Sequence, residues 1–212
     1  MSWCVLAVDT SSQNGSIALT VDGKLIEQVA LHAPNGFDDL VFPEIEGLLT
    51  RHGATVDSID CFAAARGPGS FTGVRVGLAV MKGLAMATAK PMCAVSNLKA
   101  VASQGSGALR AAILDARRGD IFGAVYDAQL NPLQEELVMP LAMWLGQLPA
   151  GEVEFLSTSS ATFSALVATR EVSGNLAALI ALLATRSDAV HPREIDASYV
   201  RRCDAEMFWQ DK

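Results

Sequence analysis

Ala7-Val8-Asp9, a polar turn, and Gly15-Ser16-Ile17-Ala18-Leu19 spell a strand, an acid, a turn and a second strand. The second half of the chain restarts the same plan. Ile113-Leu114-Asp115 leads into the turn Ala116-Arg117-Arg118-Gly119 and then into Asp120-Ile121-Phe122-Gly123-Ala124-Val125. A supersecondary plan repeated within one chain marks a duplicated unit. The spacing therefore predicts two α/β lobes in tandem, residues 1–103 and a smaller, reduced lobe over 104–212. The C-terminal segment is a candidate for packing back on the first lobe.

Working outward from Asp9, Trp3 to Asp9 reads as a strand. Residues 16–21 and 25–31 form a hairpin across Asp22-Gly23, the strongest short turn signal in the chain. A helix over about 38–52 follows, with Val41, Ile45, Leu48 and Leu49 on one face and Pro43 in the first turns, where it is tolerated. A strand ending at Ala65, a helix over 70–89 carrying Val74, Leu78, Met81 and Ala85, and a strand over 92–95 complete a ribonuclease-H-like half. The second half reads as a strand over 133–139, a helix over 141–148, a strand over 153–157, and helices over 161–169 and 175–185. Two such halves resemble the actin, sugar-kinase and Hsp70 class, the ASKHA fold, in which an Asp at each first hairpin faces a nucleotide and metal. That is fold-level analogy and carries no activity with it.

Between the apolar strand and the long helix lies Gly67-Pro68-Gly69-Ser70-Phe71-Thr72-Gly73. It is not a phosphate loop of the Walker kind, because Gly73 is followed by Val74 and Arg75 in place of Lys and Ser/Thr, and Thr72 breaks the dinucleotide fingerprint. With the turn Asp9-Thr10-Ser11-Ser12, the residues Gly67, Gly69 and Ser70 nonetheless form a candidate nucleotide or anion site, since backbone N–H groups at a helix start attract anions. The plainer reading is an Asx/Ser turn beside a tight strand-to-helix connection. Gly69, Gly73 and Gly77 recur every four residues and lay a strip without side chains along the helix, open to another backbone. The alternative is that the strip packs on the chain's own sheet. From the strip and the extra apolar residues beside it, Val41, Phe42, Ile45, Gly73, Val74, Gly77, Leu78 and Met81 are the candidate partner interface, two helices from each chain forming a four-helix contact.

Composition excludes several classes. With 212 residues, 50% hydrophobic and 18% charged, the chain is an ordered globular protein. A net charge of −7 argues against direct, tight nucleic-acid binding, which needs Lys and Arg to neutralise phosphates. The longest apolar window, near 71–89, is interrupted by Arg75 and Lys82, so no membrane association and a cytoplasmic location are expected. Cys4, Cys61, Cys93 and Cys203 lack CxxC spacing and read as free, mostly buried thiols. His32, His52 and His191 are far apart, with neither HxxxH nor HExxH, so no metal site is expected. A nuclease would need a further acid where the chain has Ala64, Ala65 and Arg66. A small-molecule kinase would need a second phosphate loop, and there Asp115 is followed by two arginines. Ser96-Asn97-Leu98-Lys99 has the S-x-x-K spacing of serine acyl-enzymes without its partner motifs, so Ser96 reads as a helix cap and Lys99 as solvated.

Val5-Leu6-Ala7-Val8-Asp9-Thr10-Ser11, the GPGSFTG loop running into Val74-Arg75-Val76-Gly77, Asp115-Ala116-Arg117, and the terminal Tyr199-Val200-Arg201-Arg202 together resemble the bacterial TsaB family, also called YeaZ. The likeness spans nearly the whole chain in order. It implies a catalytically silent paralogue of TsaD, which transfers a threonylcarbamoyl group to the adenosine beside the anticodon of ANN-decoding tRNAs. It further implies binding to TsaD through the first lobe, with TsaE joining the pair, tRNA reached only through the complex, and homodimers formed through the same surface. No catalytic residue and no cofactor of its own is implied, and ATP would belong to the assembled complex. The chain departs from the family in its approach to the first helix, Leu31 to Leu40, and in a short alanine-rich stretch over 140–185. An independent small-molecule kinase or ATPase, and a nuclease, are the competing readings.

Overall fold

A computed structural model describes residues 2–198 and Val200. The first sheet is built from β1 (Cys4–Asp9), β2 (Asn14–Val21), β3 (Lys24–His32), β4 (Cys61–Ala65) and β5 (Met92–Val95). Its order is β3-β2-β1-β4-β5, with the hairpin strands antiparallel and β1, β4 and β5 parallel. Asp22 and Gly23 turn the hairpin with φ of 50° and 71°, the left-handed pair whose twist matches the flanking strands. The second sheet comprises β6 (Leu109–Asp115), β7 (Asp120–Asp127), β8 (Pro132–Pro140), β9 (Val153–Ser157) and β10 (Arg170–Glu171). Its order, β8-β7-β6-β9-β10, repeats the first strand for strand and direction for direction. The expected two-lobe α/β duplication is what the chain adopts.

Five helices complete the layers: α1 (Val41–Arg51), α2 (Phe71–Ala87), α3 (Asn97–Ala102), α4 (Leu141–Leu145) and α5 (Ala177–Leu183). Alternation along β1 divides the core. Leu6 and Val8 face α1 and α2, while Val5 and Ala7 face the layer between the sheets. That middle layer is α3, against β6, β7 and β9, and α5, against β1, β2 and β4. Its contacts are made largely by small side chains, among them Ala63, Ala65, Ala100, Ala102, Ala112 and Ala181. Alanine there lets short helices sit close between two sheets, which accounts for the alanine-rich composition of α5. α4 covers the far face of the second sheet, where Trp144 is fully buried and its indole N–H donates to Gln134 Oε1 at 2.7 Å.

Three expected helices differ. The N–H groups of Leu40 and Val41 both donate to Phe37 O, so residues 38–40 are a turn and α1 begins at Val41. The helix expected over 161–169 is absent: residues 160–162 make one 3-10 turn. Its counterpart in the first lobe is the long α2, but the connection between β9 and β10 is residues 158–169, rich in Ser and Thr, which compete for backbone hydrogen bonds. The helix over 141–148 likewise stops at Leu145.

The glycine strip faces this chain's own β1 turn. A methyl group on Gly73 would collide with Thr10 O, one on Gly77 would lie 2.6 Å from Thr10 Oγ1, and one on Gly69 would lie 2.7 Å from Ser11 O. Backbone groups cannot yield as a flexible side-chain tip can, so the absence of Cβ is what brings α2 onto β1. Gly83, further along the helix, has nothing near it. Gly77→Leu is accordingly expected to abolish cooperative unfolding, and Gly73→Ala to lower stability by about 3 kcal/mol or more. Gly83→Ala should raise it by up to about 1 kcal/mol. Urea denaturation of the three variants checks the assignment, and a fully stable Gly77→Leu protein would overturn it.

Candidate functional site

The residues of the candidate anion site do converge, and their polar groups bind one another. Asp9 ends β1 fully buried; its Oδ1 accepts from Ser11 N at 2.9 Å and lies 3.5 Å from Asn97 Nδ2. Thr10 Oγ1 donates to Gly73 O at 2.7 Å, and Ser70 N donates to Ser11 O at 2.7 Å, which zips the turn to the start of α2. Ser70 Oγ caps α2 by accepting from Gly73 N at 3.3 Å. Ser12 Oγ closes a local turn on Asn14 O. Ser12, Gly69 and Ser70 reach solvent, whereas Asp9, Thr10, Ser11 and Gly67 are covered.

Asn97, which sequence reasoning placed only inside a serine-lysine spacing, holds the arrangement together. Its Nδ2 donates to Ser11 Oγ at 2.8 Å, its Oδ1 accepts from Gly67 N at 2.9 Å, and its N–H donates to Gly67 O at 2.9 Å. Every polar atom of this fully buried side chain is therefore matched, as burial of an amide requires. The available signal was an Asn directly behind the Ser96 cap, at the end of β5. Ser96 does cap α3, accepting from Lys99 N at 3.2 Å. The other flank of the turn is closed by α5, whose Ala177 N donates to Ser16 Oγ at 3.0 Å, Ser16 being the register partner of Asp9. Burial pushes the Asp9 carboxyl above its ordinary value, and the hydrogen bonds from Ser11 and Asn97 only partly offset this.

The second-lobe equivalent, Asp115, makes the same Asx turn, with Oδ1 accepting from Arg117 N at 2.8 Å, but stays exposed. Cys61 and Cys93 are buried thiols 3.7 Å apart at sulfur, and Cys4 is free and half-buried. Cys203 and the motif residues Tyr199, Arg201 and Arg202 lie outside the described residues. Among the described residues no three His, Cys, Asp or Glu side chains converge, and no helix is long and apolar enough to cross a membrane.

The interface expected from the glycine strip needs correction. Val41, Ile45, Val74, Leu78 and Met81 are buried against β1, β2 and β4 of their own sheet, and Gly73 and Gly77 face Thr10. These residues build the first lobe and present nothing to a partner. Of the eight, Phe42 alone is exposed. The outward faces of α1 and α2, on the same side of the sheet, instead offer Leu40, Phe42, Phe71 and Met86, each at least 37% exposed, with Ala79 and Gly83 between. Arg75 lies over the Phe71 ring at 3.2 Å.

Residues 33–198 match the family model described as TsaD, tRNA N6-adenosine threonylcarbamoyltransferase. The chain is 37% identical over 131 residues to the tRNA threonylcarbamoyladenosine biosynthesis protein TsaB of Escherichia coli K12, a match covering 60% of this chain and 56% of that protein. It is 28% identical over 223 residues to the Bacillus subtilis 168 protein of the same name, covering 97% of both. The solved structure of YeaZ from Pseudomonas aeruginosa superposes with a TM-score of 0.80 at 25% identity, over 93% of this chain and 99% of that one. The chain belongs to this family, on its TsaB branch. The family match takes in α1, the glycine loop, α2 and the second lobe as far as residue 198.

In this TsaB-branch chain the Asn97 clamp and the buried Asp9 have separable consequences. Asn97→Leu leaves Gly67 N–H and Ser11 Oγ without their partner, and a loss of about 2–4 kcal/mol in denaturant unfolding is expected. A carboxyl whose pKa is higher folded than unfolded contributes most stability below its unfolded value of about 3.9, and that contribution is lost as pH rises through the folded value. Asp9→Asn keeps the acceptor and removes the ionisation. Its melting temperature relative to wild type should therefore be more favourable at about pH 7 than at about pH 3. Equal differences at both pH values would contradict a raised Asp9.

Proposed function

We propose that this chain is a non-catalytic accessory subunit in tRNA threonylcarbamoyladenosine biosynthesis, docking on TsaD through the outer faces of α1 and α2. The observation that carries the reading is the closed turn. Thr10, Ser11 and Gly67, the groups that would receive a phosphate, are hydrogen-bonded to Gly73, Asn97 and Ser70 and covered by α2, α3 and α5. Such a lobe has the architecture of a nucleotide-binding fold with its donors committed to holding the fold together. The names of the E. coli and B. subtilis relatives supply the pathway, and the TsaD family match supports a paralogous partner.

The apolar outer face supports the docking surface. Phe42, Phe71 and Met86 are each more than half exposed, and the outward side of α2 carries only Arg75 and Lys82 as charges. Aromatic and Met side chains around small residues fit the centre of a protein interface. In isolation the same face would pair two copies of the chain, and TsaE would join the TsaD-bound form. With a net charge of −7, contact with tRNA falls to the partners. The chain holds no cofactor of its own in this reading, ATP belonging to the assembled complex, and it works in the cytoplasm.

Phe42→Glu and Met86→Glu place a charge on the outer face without touching the core. Each is expected to weaken association with TsaD from the same cell by at least about tenfold, or ~1.4 kcal/mol, with unchanged thermal unfolding. Calorimetry with purified partners reads this, and wild-type affinity in both variants would move the interface elsewhere. The isolated chain is expected to turn over no ATP. Steady hydrolysis abolished by Asp9→Ala would favour the independent ATPase.

A further inference from the structure

The two lobes face each other across a cavity of about 440 Å³ that is separate from the closed turn. It opens where β4 and β5 end: Arg66 directly follows β4, Ser96 directly follows β5, and Lys99 stands one turn along α3. In open α/β sheets the crevice beyond the carboxyl ends of parallel strands is where ligands sit. The opposite wall comes from the second lobe, where β8 supplies Glu135 and Glu136.

The charges on these walls do not neutralise one another. Among the described residues neither Arg66 nor Lys99 forms an ion pair, and neither do Glu135 and Glu136; the ion pairs present lie elsewhere. Among the described residues Glu136 Oε2 accepts from Ser198 Oγ alone, at 3.1 Å. Between the charged walls Tyr126 is buried, and burial together with Glu136 pushes its phenol above the ordinary value, Ser96 and Arg66 offsetting this only in part. Leu130, Pro132 and Val200 add an apolar margin.

We propose that this cavity binds a small zwitterion of the amino-acid type, a free α-amino acid or a dipeptide, with its carboxylate toward Arg66 and Lys99 and its ammonium toward Glu135 and Glu136. A simple anion such as a nucleotide would bring its charge up to two carboxylates, and a simple cation would meet the guanidinium and ammonium groups, so each pays like-charge repulsion that a zwitterion escapes. The volume lies within the range of small-molecule sites and accommodates a side chain against the apolar margin. None of these residues belongs to the closed turn or to the outer face of α1 and α2, so this inference stands independently of the docking reading.

The test is calorimetric titration of the full chain with L-leucine, L-threonine and alanyl-leucine, each beside its N-acetyl and its C-terminal amide form. At least one uncapped ligand is expected to bind saturably, with both caps weakening it by at least about tenfold. Lys99→Met and Glu135→Gln should each weaken the uncapped ligand by a similar factor, while thermal unfolding confirms an intact fold. If either variant fails to fold, the capped and uncapped comparison on the wild-type chain decides alone. No saturable heat from any uncapped probe up to about 10 mM, or equal binding of capped and uncapped forms, would overturn the proposal.

Discussion

The close approach of α2 to the Thr10–Ser11 turn is the contact on which the first lobe depends. Gly69, Gly73 and Gly77 bring the helix onto backbone and hydroxyl oxygen atoms at distances no Cβ would permit. Thr10 Oγ1 and Ser70 N then bond across the seam, so steric fit and polar satisfaction reinforce one another. Glycine inside a helix costs about 1 kcal/mol relative to alanine, and here that cost is offset by burying α2 against β1 and β4.

From that seam the structure extends in two directions. Outward, α2 and α1 bury Val74, Leu78, Met81, Val41 and Ile45 beneath them and leave Phe42, Phe71 and Met86 to solvent. Inward, Asn97 ties the glycine loop to the turn, and α5 bonds through Ala177 to Ser16 and through Ala178 to Gln28. The two sheets thus share one alanine-rich middle layer. A nucleotide-binding lobe keeps its turn hydroxyls available for phosphate, whereas this one uses them to close itself.

The second lobe retains the strand order of the first, keeps short helices α4 and α5 where the first has α1 and α3, and loses the counterpart of α2. The connection after β9 has neither the glycine loop nor the length for a copy of α2, so one face of that sheet is covered by the short α4 with Trp144 beneath it. Without a helix pressing on the second turn, Asp115 stays exposed while Asp9 is buried, although both make the same Asx turn. The duplication is one of backbone topology, with the two turns in different surroundings.

Periodicity and turn chemistry made most of this architecture legible in the sequence. The alternation along β1, the Asp22-Gly23 hairpin, the helical spacing of Val74, Leu78 and Met81, and the repeated strand-Asp-turn-strand are local signals, and local signals survive in one dimension. The fold follows from them, whereas the family resemblance rests on motif residues, the Gly67–Gly73 loop running into Val74-Arg75-Val76-Gly77 above all. Which face of α2 the glycines lie on was not local. A strip without side chains serves a partner or the chain's own β1 equally well, and the choice depends on where Thr10 sits in space. The role of Asn97 was hidden for the same reason, since its partners Ser11 and Gly67 are distant in sequence, and so was the set of opposed charges around Arg66, Lys99, Glu135 and Glu136. The sequence by itself determined the strands, their order of appearance and the duplication, because each rests on neighbours along the chain. Only the tertiary structure decided which polar groups are spent on the fold and which remain for a ligand or partner, because hydrogen bonds and burial are settled between segments that meet only after folding.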